Sequence, residues 1–183
     1  MKHTLTLILI FFIATVASGQ EFKGVKFGIS TVNDIKTLHG NNPIAIDDNM
    51  IIYSSKLGSR DVVLVFVLKN GVCTNMIYSP KGRRLSGNDH YSIYESWDNA
   101  LSKKYTLFED RTKWQESAKK LFGNNPGTAL SADKVSFAKI YEGESGLYIV
   151  LKSSKENFKI TTALMYTTKD FLINQLAKQE DDF

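Results

Sequence analysis

Residues 62–68 run Val-Val-Leu-Val-Phe-Val-Leu without a polar position, and the rest of the chain is read around them. A strand that is apolar on both faces of its pleat lies inside a sheet, and seven residues are too few to cross a bilayer as a helix. Asn70-Gly71 follows, a dipeptide that tolerates the positive φ of a tight hairpin, so residues 61–80 are expected to form a central β-hairpin with its second arm over 72–79. Upstream, 22–28 alternates as a first strand. Ser30 or Thr31 caps a helix, Thr31 with Asp34 resembling a capping box, before Val32, Ile35 and Leu38 at helical spacing; Gly40 closes that helix, and a strand is expected over 50–54. Downstream, the glycines and proline of 79–89 mark a loop, after which Tyr94, Trp97, Leu101 and Tyr105 recur as one apolar helical stripe. A second helix is expected over 113–122, capped by Thr112 and Gln115, with Trp114, Ala118 and Leu121 on one face and Gly123 at its end. Three strands over 135–141, 147–153 and 158–167 read as an antiparallel meander. The final helix, over 169–178, sets Leu172, Ile173 and Leu176 on its apolar side.

The order of elements suggests a repeat. Leu38-His39-Gly40-Asn41-Asn42-Pro43 is echoed by Leu121-Phe122-Gly123-Asn124-Asn125-Pro126, and three strands follow each copy. The pattern predicts an α+β domain spanning 20–183, with pseudo-repeat halves at about 22–80 and 106–168. Two helix-plus-three-strand halves would build one antiparallel sheet, or two abutting sheets, with helices packed on one face. The stretch from Gly24 to Leu38, a strand, a glycine and a capped helix leading to a meander, resembles the opening of small exported bacterial domains, namely the tandem-repeat β-lactamase-inhibitor proteins and the outer-membrane assembly lipoproteins. That resemblance covers about sixty residues and implies an α+β domain that works by binding another protein. The chain lacks the lipid-bearing cysteine of the lipoproteins and the paired cysteines of the inhibitors, so only the architecture carries over.

The N-terminus adds an address. Met1-Lys2-His3 leads an apolar run over 5–16 and the small residues Ala17-Ser18-Gly19, the pattern of a cleaved secretory signal peptide over 1–19. The expected product is secreted or periplasmic, soluble after cleavage, and has no membrane span. The full chain carries a formal charge of +4, and the product without Lys2 one less, too mild to argue for nucleic acid. Export favours disulfides, yet Cys73 stands alone and reads as a buried, inert thiol in a strand.

Candidate chemistry is sparse. His39 and His90 belong to no metal-ligand or triad spacing, and the chain has neither a nucleophile elbow nor a phosphate-cradling glycine loop. Asp47-Asp48 and Asp181-Asp182 read as solvated loop acids, since adjacent strand residues point to opposite faces. No metal and no cofactor is expected. Lys81, Arg83 and Arg84 are the sharpest exposed cluster, candidate ligand-binding residues for an acidic partner, while Trp97 and Trp114 read as core. The expectation is therefore a binding module with a protein or peptide partner. The alternative is an exported hydrolase acting on glycans or peptides through carboxylates brought together from distant segments.

Overall fold

The computed structural model describes residues 20–82 and 85–180. The expected leader, Arg83, Arg84 and the pair Asp181-Asp182 lie outside the described residues. The strand expected over 22–28 is folded in two: β1 (Glu21–Phe22) turns back on β2 (Val25–Lys26) through Lys23 and Gly24, both at positive φ. α1 (Val32–His39) has the expected capping box, in which the Asp34 carboxylate accepts the Thr31 N–H at 2.7 Å. Its buried apolar residue is Ile35; Leu38 is half exposed.

Four strands follow: β3 (Ala45–Ile46), β4 (Met50–Leu57), β5 (Arg60–Lys69) and β6 (Val72–Pro80). Between β5 and β6, Asn70 and Gly71 sit at φ 53° and 77°, the paired left-handed conformation that a two-residue hairpin requires. The β5–β6 ladder sets Val65 opposite Ile77 and carries a bulge between Val67 and Leu68. β5 lies inside the sheet, as expected, but its two faces differ. Val62, Leu64, Phe66 and Leu68 are buried, whereas Val63, Val65 and Val67 are only half-buried. The uninterrupted apolar run does not correspond to burial on both sides.

α2 (Gly87–Ser102) starts inside the stretch read as loop, because Ser86 and Asp89 form a second capping box: Asp89 accepts the Ser86 N–H at 2.8 Å. Tyr94, Trp97 and Leu101 are buried along it, and Tyr105 packs on the same core from beyond the helix end. The helix expected over 113–122 is largely replaced. The structure has β7 (Thr106–Asp110), β8 (Lys113–Trp114), α3 (Ala118–Phe122) and α4 (Pro126–Ser131) instead. The Thr112 N–H goes to the Asp110 carboxylate and the Gln115 N–H to the Lys134 carbonyl, so donors that would open a helix are spent on the turn and on chain across the ladder. Trp114 is drawn into a strand opposite Val135, and Leu121, expected on a packed face, is 77% exposed. Non-local pairing here outweighs local periodicity.

β9 (Val135–Glu142), β10 (Leu147–Glu156) and β11 (Lys159–Thr168) form the expected meander, and α5 (Lys169–Glu180) begins directly after it. The fold is α+β. One large antiparallel sheet runs β3-β4-β5-β6-β11-β10-β9-β7, with β8 also on β9. The triplets β4–β5–β6 and β9–β10–β11 meet where β6 pairs with β11, Ile77 opposite Met165. The segments echoed in sequence differ in conformation: Gly40 has φ 93° and Gly123 φ −56°, and Pro43 precedes a strand whereas Pro126 opens α4.

The main core lies on one face of the sheet. Phe66, Tyr78, Leu164, Ile149 and Tyr141 point into it, and Ile35 of α1, Ile93 and Trp97 of α2, and Leu130 of α4 cover it. Each such side chain contributes about 1.5–3 kcal/mol through burial. α5 lies apart from these helices. Its Leu172 joins Tyr148, Ile140 and Val150, which alternate with the core positions and so occupy the opposite face.

Candidate functional site

The face opposite the main core is the first candidate. Strand pairing lines up Ile52, Val65, Ile77, Met165 and Val150 across five strands, and all five are half-buried. Val63, Val67 and Ala163, half-buried too, widen the row. Leu172 of α5 covers the Val150 end. At another margin the Lys81 ammonium donates to the Ser54 hydroxyl at 3.2 Å, Lys56 pairs with Asp61 at 3.3 Å, and Lys152 pairs with Glu156 at 2.8 Å. The structure thus sets Lys81, the described member of the basic cluster, beside this open face. Apolar surface continuous over several strands is unusual for solvent contact alone.

The second candidate is a cleft of about 450 Å³ between α2, the β7–β8 corner and β9. Tyr91, Glu95 and Asp98 follow one another at i, i+4 and i+7 on α2, so they face the same side of the helix, with Tyr94 beside them. Phe137 and Lys139 rise from alternate positions of β9, and Asp110 stands opposite Lys139 on β7. Four rings form the wall: Phe137 lies 5.1 Å from Tyr91, 5.3 Å from Tyr94 and 6.0 Å, edge-on, from Trp114. Trp97 is core, as expected, but Trp114 is half-buried and lines this cleft.

The cleft's polar groups are unequally engaged. Asp98 pairs with the Lys139 ammonium at 2.7 Å and accepts a hydrogen bond from the Tyr141 hydroxyl. The Tyr94 hydroxyl is buried and finds no partner of hydrogen-bonding geometry. Burial first, then the charges of Asp98 and Asp110, hold the Tyr94 phenol above its ordinary range, against the weaker effect of a hydrogen-bonding contact with the Thr112 side chain that falls short of full geometry; the group stays a neutral O–H. Burial and then the bond to Asp98 do the same for Tyr141.

Other candidates have structural roles. The Asp47 carboxylate accepts the Asn49 and Met50 N–H groups, closing a turn. His90 is buried with Nδ1 3.0 Å from the Thr162 hydroxyl, and His39 packs against Phe66. Burial pushes the Cys73 thiol up to about 12, so it stays protonated. Among the described residues no group of three or more His, Cys, Asp or Glu is arranged to hold a metal, and no described helix is long and apolar enough to cross a membrane. No protein-family model, curated protein or solved structure matches this chain. Sequence reasoning passed over Glu95, Asp98, Asp110 and Lys139. The acids beside Tyr91 and Tyr94 were legible as a helical stripe, but their meeting with Asp110 and Lys139 depends on the β7–β9 pairing.

Proposed function

We propose that this protein is a non-catalytic binding module, acting outside the cytoplasm as its leader-like N-terminus implies, that takes a partner protein on the open face of its sheet. The half-buried row from Ile52 through Ile77 to Val150 carries the reading. Leaving these side chains partly in water forgoes some of the roughly 25 cal/mol per Å² that covering them returns, and a docked apolar segment recovers it. The partner segment is apolar with acidic flanks, because Lys81 borders the row and the whole chain carries +4.

The test is selection of displayed 12-residue peptides on the purified protein, followed by mapping of bound peptides by amide shifts. Peptides combining apolar and acidic residues should be enriched. Their affinity should fall about tenfold or more in a Val65→Ser/Ile77→Ser variant, and further with added salt or in Lys81→Ala. Peptides that map elsewhere, or bind that double variant unchanged, would refute the reading. The alternative, a hydrolase, would draw on the carboxylates of the cleft, of which Asp98 is already committed to Lys139 and Tyr141. Turnover of chromogenic glycosides or peptides that Glu95→Gln abolishes would replace the binding reading.

A further inference from the structure

We infer that the cleft between α2, the β7–β8 corner and β9 binds an organic cation bearing N–H groups, an alkylammonium such as a lysine side chain or a free diamine presents. The site is separate from the open sheet face and does not depend on it. Three features converge. The wall is aromatic: Tyr91, Tyr94, Trp114 and Phe137 pack together and line one space, and a cation beside aromatic rings is attracted by the ring quadrupole. The charge is right as well. Three carboxylates, Glu95, Asp98 and Asp110, meet two ammoniums, Lys119 and Lys139, leaving one negative charge, and Lys139 is already held by Asp98. A net negative cleft on a basic chain selects for a cation.

The third feature sets the kind of cation. The Tyr94 side chain is 4% exposed, lines the cleft, and gives its oxygen no partner of full hydrogen-bonding geometry, with only a minor contact from Thr112 beside it. A buried hydroxyl short of hydrogen bonds is costly, and an ammonium N–H can donate to its oxygen. A quaternary ammonium has no N–H and cannot. A neutral sugar could stack on the rings but leaves the net negative charge uncompensated. A bare metal ion fits poorly, because the rings offer no ligand atoms to it.

The full chain without its leader is titrated with Nα-acetyl-lysine N-methylamide, 1,5-diaminopentane, tetramethylammonium, the neutral Nα-acetyl-norleucine N-methylamide and N-acetylglucosamine, following the Trp114 indole N–H by NMR. The two N–H cations should give saturable shifts and the norleucine compound none. Tighter binding of the lysine compound identifies a peptide side chain as the source, and tighter binding of the diamine a free amine. Tyr94→Phe keeps the ring and should weaken both N–H cations about tenfold while leaving tetramethylammonium unchanged. Glu95→Gln, at an exposed position, should weaken every cation. Four results would each overturn the inference: no saturation by either N–H cation, equal binding of the norleucine compound, preference for the sugar, or unchanged affinity in Tyr94→Phe with native amide dispersion.

Discussion

Replacing Gly127 with alanine tests how α2 is seated on the fold. A Cβ at Gly127 would lie 2.0 Å from Asn88 Oδ1 and 2.5 Å from Asn88 Cα, and one at Gly87 would lie 2.2 Å from the Gly127 carbonyl oxygen. The backbones of α2 and α4 therefore touch where each helix begins. Asn88 could swing its amide away, but its Cα cannot move without α2. Restoring an ordinary carbon–carbon separation of about 3.5–4.0 Å requires α4 to retreat by about 1 Å or more. α4 carries Ala129 and Leu130, both fully buried, so the retreat opens space beneath them. Overpacking alone costs about 1–3 kcal/mol, and the loosened contacts of Leu130 bring the expected loss to about 3 kcal/mol. For a domain of this size that is a fall in Tm of about 6–12 °C. Gly28→Ala is the control: its φ of 78° strains any side chain, but nothing lies within 4 Å of the added carbon, so the cost is about 1–2 kcal/mol. Urea unfolding followed by tryptophan fluorescence compares the two, with equal m values showing that the unfolded states match. If Gly127→Ala lost no more than Gly28→Ala, the close approach of α2 and α4 would not be what seats α2.

Acid should weaken the fold before its carboxylates titrate. Burial is the main cause holding the pKa of both His90 and His39 below the ordinary histidine value, with Asp89 opposing at His90 and Lys23 adding at His39. The unfolded chain then binds protons first, so stability is full above about pH 6.5 and is lost as pH falls through the folded-state values. The urea midpoint should drop between pH 7.5 and 5.0, and His90→Gln should flatten the slope; a midpoint rising toward pH 5.0 would contradict the burial argument. Cys73, fully buried with its Sγ donating to the Asn75 carbonyl at 3.4 Å, should resist a thiol-reactive disulfide reagent at pH 8 in the folded protein and react fully in urea. Stoichiometric labelling of the native protein within minutes would show an open strand instead.

Where local chemistry is self-sufficient, the sequence alone determined the outcome. Thr31 with Asp34 caps α1, Asn70-Gly71 turns the central hairpin, and the alternation over 135–167 makes a meander, each through neighbours within a few residues. The Ser86-Asp89 box belongs to the same class and was hidden only by the glycines around it. The tertiary structure decided what depends on distant pairing. Trp114 has helical spacing to Ala118 and Leu121, but β9 claimed its backbone, because a ladder satisfies donors that an isolated short helix leaves open. The same pairing set Asp110 opposite Lys139 and made a cleft from α2 and two strands. The run over 62–68 shows the division most plainly. Its apolar character placed β5 inside the sheet. Which of its faces was covered depended on where α1, α2, α4 and α5 came to rest, and they left Val63, Val65 and Val67 partly open to water.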